Sequence, residues 1–157
     1  MQYPNRGSPA LATRLIDLLD ANGIKASPVS RGLDHGVWAG FTTAFNPETN
    51  PLGVPVVQVS LFDNEDPRRH YALGRALAPL REEGVLVVGS GMAVHNLRDM
   101  WRAMQQPHPM AYTTSFDAAL KEAVEAAPEG REEAMAELLR RDDARRAHPS
   151  FDHLLPV

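Results

Sequence analysis

The 157 residues carry 43% hydrophobic side chains and a formal net charge of −4, a balance that suits one globular domain with a buried core. So small a negative charge gives no reason to expect nucleic acid or an anionic membrane as partner, and no apolar run reaches the ~20 residues that a bilayer span needs. Zero cysteines exclude disulfides and thiolate metal sites, so any metal falls to His, Asp or Glu.

In chain order, Ser8-Pro9 reads as a helix cap followed by proline at the first helical position. Leu11, Leu15, Leu18 and Leu19 then make an apolar stripe, and Asn22-Gly23 is a stop. A short strand is expected near 25–29, followed by a loop over 31–38. Residues 45–53, rich in Pro, Asn and Gly, read as turn, and the valines of 54–61 as a second strand. Asp66-Pro67 restarts a helix with Leu73, Leu77 and Leu80 on one face; Pro79 should kink it or end it early, and Gly84 closes it.

Residues 85–89 are the third expected strand: Val85, Leu86, Val87 and Val88, bounded by glycines, have the composition of a strand buried in a parallel sheet. Gly89-Ser90-Gly91 gives a sharp turn, after which Leu97, Met100, Trp101 and Met104 fall at helical spacing. Residues 105–114 are loop. Ser115 is expected to cap a helix running to about Ala127, and a second, charged helix occupies 131–147, its arginines interleaved with acids as on a solvated face. The expected fold is α/β, a mainly parallel sheet with helices on both faces, incomplete at both ends. The 157 residues are then expected to be the central to C-terminal part of a single domain, with Met1 open to both readings, a genuine start or a product of how the sequence is delimited.

Three histidine positions attract attention. His95 lies where the third strand would meet its following helix, the edge at which open α/β sheets bind ligands; acid–base chemistry, metal ligation and a simple capping role are all open to it. His35, in the Asp34-His35-Gly36 loop, is either a turn residue or a donor to a bound anion. His153 follows Ser150, a good cap, so a neutral imidazole suited to a metal is one reading of it and a surface histidine near the chain end the other. His70 and His108 are expected to be solvated. No phosphate-binding loop, dinucleotide fingerprint, GxSxG elbow or HExxH occurs.

Taken together, GLDHGVW at 32–38, VLVVGSGMAVHNLR at 85–98 and HPSFDHLLPV at 148–157 resemble the class III extradiol ring-cleavage dioxygenases of the DOPA-dioxygenase type. YPNRGSPALATRLIDLL near the start and the strand VPVVQVSLF fit the same family in the same order. The resemblance implies a metal-dependent enzyme that opens a catechol ring with both atoms of O₂. It implies His153 as a metal ligand and His95 as the acid–base group, with metal ligation by His95 as the alternative. His35 would face substrate and oxygen. The implied ion is Fe²⁺, with Zn²⁺ as the other candidate, and the implied partners are a small catechol and O₂; no oligomeric state follows. Family members hold the metal with two further histidines from loops upstream of the segment matched here, so the isolated chain is expected to be inactive. Pro79, and Phe151 where relatives often carry proline, depart from the pattern. A non-catalytic binding protein on the same fold is the second reading, and a cytoplasmic location is the default.

Overall fold

A computed structural model describes residues 3–157, which leaves Met1 outside the described residues. The chain divides into two compact units, one formed by residues up to 60 with 73–88, the other by 61–72 with 89–157.

In the first unit, helix α1 (Pro9–Ala21) starts where its cap predicts: Ser8 Oγ accepts the Leu11 N–H at 3.2 Å, with Pro9 in the first turn, where a missing N–H costs nothing. Leu15, Leu18 and Leu19 are buried, and the chain leaves the helix through Gly23 at φ 73°, the left-handed conformation that glycine adopts without strain. Helix α2 (His35–Ala44) replaces the second half of the expected loop. The Asp34 carboxylate accepts the Gly36 N–H at 2.9 Å, so the Asp-His-Gly turn is in fact a helix cap. None of the α2 residues is buried; its Phe41 meets Tyr3 and Phe45 edge to face at 5.9 and 5.4 Å.

Helix α3 (Pro67–Leu77) opens on Asp66, whose carboxylate accepts the Arg68 N–H at 2.9 Å. Pro79 acts as expected: the α-helix ends at Leu77, the tighter 3₁₀ turn Ala78–Glu83 takes over, and Gly84 at φ 75° closes it. Arg14 grips both carboxylate oxygens of Glu83, at 3.1 and 2.7 Å, and so ties α1 to that turn.

The sheet is the principal correction. Among the described residues there is no strand, so the expected α/β class with a parallel sheet does not hold. Residues 25–29, 54–61 and 85–88 avoid the helical state, as their composition dictates, but they form no ladder with one another. Val56 donates its N–H to the Arg6 carbonyl at 3.1 Å, a single link rather than a register. Leu86 is 85% exposed and Val88 61% exposed, the reverse of a buried strand. Apolar, β-branched composition sets the local backbone preference, whereas a ladder also needs a neighbour about 4.8 Å away, which no local pattern supplies.

The second unit is helical. Helices α4 (Met100–Met104), α5 (Ala111–Glu125), α6 (Pro128–Leu138) and α7 (Ala144–Ala147) precede a closing 3₁₀ turn, Phe151–His153. Tyr112, Phe116 and Leu120 of α5 pack with Leu138, Ala144, Ala147, Phe151 and Leu154 around a core in which Phe116 is fully buried. Arg131 donates to the Ala126 carbonyl from two nitrogens at 3.1 and 2.8 Å, satisfying the end of α5.

Three expectations here are corrected. Helix α5 begins four residues before Ser115, which lies inside it and takes a hydrogen bond from Arg141 at 3.0 Å instead of capping. The single helix over 131–147 is broken after Leu138, where Arg141 turns back onto Asp143 at 2.9 Å. The stripe of Leu97, Met100, Trp101 and Met104 gives one five-residue helix whose apolar side chains are all exposed.

Candidate active site

The turn Gly89-Ser90-Gly91 shows why two glycines bracket it. A Cβ on Gly89 would stand 2.5 Å from the Pro156 carbonyl oxygen, and one on Gly91 would stand 2.9 Å from the His153 oxygen and 2.6 Å from the Val157 side chain. Neither glycine has positive φ. Their role is close backbone approach to the chain end rather than the sharp turning that the sequence suggested.

From that contact onward two segments run antiparallel. Met92 donates its N–H to the His153 carbonyl at 2.7 Å, and His95 donates its own to the Ala147 carbonyl at 3.0 Å. Asn96 Nδ2 donates to the Arg146 carbonyl at 2.6 Å, while Asn96 Oδ1 accepts the Arg98 N–H at 3.0 Å. The result is that His95 and His153, 58 positions apart by their numbers, stack with ring centroids 3.8 Å apart and planes 30° apart. Both are half-buried, His153 with 31% of its side chain exposed.

The 148–153 loop is anchored independently. The Phe151 N–H donates to Glu65 Oε1 at 2.7 Å, and the other oxygen of Glu65 takes Arg145 at 2.7 Å. Arg145 also lies over the Phe151 ring at 3.8 Å. The Arg145 guanidinium, and then the Phe151 N–H, hold the Glu65 carboxyl below the usual carboxylate range. Next to the pair, Ser150 Oγ donates to Asp152 at 2.6 Å and lowers its pKa in the same way; Asp152 Oδ2 stands 3.6 Å from His153 Nε2.

His70, expected to be solvated, is buried, and so is His148. His70 donates from Nδ1 to the Asp66 carbonyl at 2.7 Å and accepts the Phe62 N–H on Nε2 at 3.2 Å, so it is a structural clasp and not a solvated side chain. His148 is fully buried between Phe116 and Phe151. Neither burial is marked in the sequence, because each partner is an ordinary backbone group or core residue. His108 is exposed, as expected. His35 belongs to the first unit, on α2, where it is exposed and meets Trp38 edge to face at 4.9 Å.

A stacked imidazole pair offers nitrogen donors of the kind that suit iron or zinc, and a side chain able to accept and return a proton. Among the described residues no group of three His, Asp or Glu side chains converges as a metal centre requires. The pair therefore has the right donor chemistry for part of a metal site and too few donors for a whole one.

The chain matches the family described as the catalytic LigB subunit of aromatic ring-opening dioxygenase over residues 1–157, and belongs to it. Among its relatives, it is 34% identical over 156 residues to 4,5-DOPA dioxygenase extradiol of Escherichia coli K12, covering 99% of this chain and 55% of that protein. It is 37% identical to the protein of the same name from Portulaca grandiflora, covering 100% of this chain and 56% of that one. A crystal structure of an uncharacterized Escherichia coli K12 protein follows the same course with a TM-score of 0.78 at 32% identity, over 99% of this chain and 62% of that one. The chain thus spans about half the length of these two curated relatives.

Proposed function

We propose that the protein is an extradiol dioxygenase that opens a catechol ring, with a DOPA-like aromatic as substrate, inserting both atoms of O₂ next to the ring hydroxyls. The observation that carries this reading is the stacked His95–His153 pair in a chain that matches the ring-opening dioxygenase family throughout. Small-molecule substrate and O₂ are the partners; a cytoplasmic location remains the default. Among the described residues no helix is long and apolar enough to cross a membrane.

The family's enzymes are non-haem metal enzymes, and Fe²⁺ is the ion we assign, since zinc is redox-inert. The metal would bring catechol and O₂ side by side and so remove most of the entropic barrier to their meeting. His153 would hold it. His95, stacked on that ligand, would take the proton that the catechol hydroxyl loses on binding and return one as the ring opens, the exchange of general base and general acid that an imidazole can perform. His35 would donate a hydrogen bond to the substrate or to oxygen-derived charge. The residues present supply only part of the donor set.

The non-catalytic binding reading has less support, because both relatives described above carry a dioxygenase name. The test is oxygen uptake with DOPA and simple catechols by a full-length form that carries the two upstream histidines the resemblance implies, supplied with Fe(II), followed by absorbance of a yellow ring-opened product; the 157 residues alone are the control, expected to take up almost no oxygen. Consumption of one O₂ per product is the expected result. Stoichiometric catechol binding without oxygen uptake would favour the non-catalytic reading.

A further inference from the structure

His148 has no part in the proposed chemistry, yet it is among the most completely enclosed side chains in the protein, with no exposed surface. Its Nε2 lies 2.9 Å from the Ala93 carbonyl oxygen, and that oxygen can only accept, so Nε2 carries the proton. Its Nδ1 is buried without a hydrogen-bond partner. The Phe116 ring lies 5.4 Å from it and the Phe151 ring 6.5 Å, centroid to centroid.

Such a residue cannot hold a metal or relay a proton. One nitrogen is committed to a carbonyl, and the other looks into an apolar wall. Burial pushes its pKa down, against the opposing pull of the Ala93 carbonyl. Leaving Nδ1 unsatisfied has a cost of its own, so the enclosure must serve the one bond that is made.

That bond sits at the centre of the antiparallel contact. The backbone pairs 92 with 153 and 95 with 147 flank it, and between them only His148 reaches across to residue 93. His95 is two residues along one segment from Ala93; His153 is five residues along the other from His148. We propose that His148 is a positioning residue: its Nε2–H, held in a closed apolar seat, sets the register of the 92–96 segment against the 147–153 segment and thereby the stacking of His95 on His153. The functional importance of that stacking rests on the dioxygenase reading; the geometry does not.

The test uses the protein labelled with ¹⁵N and ¹³C in its histidines. In the wild type, long-range ¹H–¹⁵N correlations should show His148 as the Nε2–H tautomer with a bare Nδ1, and NOEs should connect the His95 and His153 rings. His148→Met keeps an apolar body but loses the donor, and should lose those NOEs while the helical circular dichroism is retained. His148→Gln, which returns an amide N–H at a similar reach, should restore them. Zn²⁺ affinity should fall about tenfold in the Met variant, the lower end of what supporting residues contribute, and recover in the Gln variant. An Nδ1–H tautomer or an imidazolium at His148, or unchanged ring NOEs in His148→Met, would overturn the proposal. Should the Met variant fail to fold, the wild-type tautomer and the Gln variant decide. Ring NOEs in the wild type together with no oxygen uptake by a full-length form that carries the upstream histidines would defeat the dioxygenase reading and leave the role of His148 standing.

Discussion

Residues 85–88 and residues 89–96 are consecutive in one motif, and they have opposite fates. The first four are the most strand-like stretch of the sequence, yet Leu86, Val87 and Val88 are exposed and join no ladder among the described residues. The next eight look like an unremarkable glycine turn, and they are held by backbone bonds from Met92 and His95, the Asn96 side chain and the His148 ring. Apolar composition measures how much a segment would gain from burial; it does not say that the partner is at hand. The turn is fixed because its partners, the carbonyls of residues 146, 147 and 153, lie in the same compact unit.

Substitutions can break this contrast, and the largest effect belongs to the core behind the turn. Phe116→Ala, at a fully enclosed side chain beside His148, should cost about 3–5 kcal/mol in urea unfolding. Gly89→Ala comes next. Its new methyl meets the Pro156 backbone carbonyl, which has no rotamer to yield, and should cost about 1–3 kcal/mol. A loss below that range would mean that the chain end is free to move away.

Glu65 gives a smaller, pH-dependent effect. Its folded-state pKa is lowered by Arg145 and the Phe151 N–H, so the native state binds fewer protons than the unfolded one as the carboxyl titrates. Its stabilisation is complete above the unfolded value of about 4.3 and disappears as pH falls through the lower folded value. With 38% of the Glu65 side chain exposed, solvent screens the pair, and Glu65→Gln should cost under about 1 kcal/mol at neutral pH. The variant should also unfold with a shallower dependence on acid than the wild type. Leu86→Thr, at the exposed run, should change stability by less than about 0.5 kcal/mol; a cost of several kcal/mol would show that this face is covered in solution.

What the sequence made legible was local. The Ser8-Pro9 start, the arrest at Pro79 and the stops at Gly23 and Gly84 each depend on one residue's own backbone chemistry, and each is found. Asp34 shows the limit of such reasoning, because a turn aspartate and a helix cap use the same carboxylate on the same N–H. The burial of His148 was not legible, since its partner is a backbone carbonyl 55 residues away, and a carbonyl leaves no mark in a sequence. His95 and His153 were singled out by local sequence with several roles open to each, and the family resemblance assigned the roles. Their stacking follows from the antiparallel register of two segments that no periodicity connects.

The central claim is that these two stacked imidazoles have different tasks, one holding the metal and the other moving the proton. The direct measurement is metal content and DOPA-dependent oxygen uptake of His95→Ala and His153→Ala in a full-length form that carries the upstream histidines, side by side with the wild type of that form loaded with Fe(II). The account predicts that His95→Ala keeps most of its iron and loses turnover, whereas His153→Ala loses both. Equal loss of iron in the two variants would make His95 a ligand, and full turnover in either would contradict the assignment of the site.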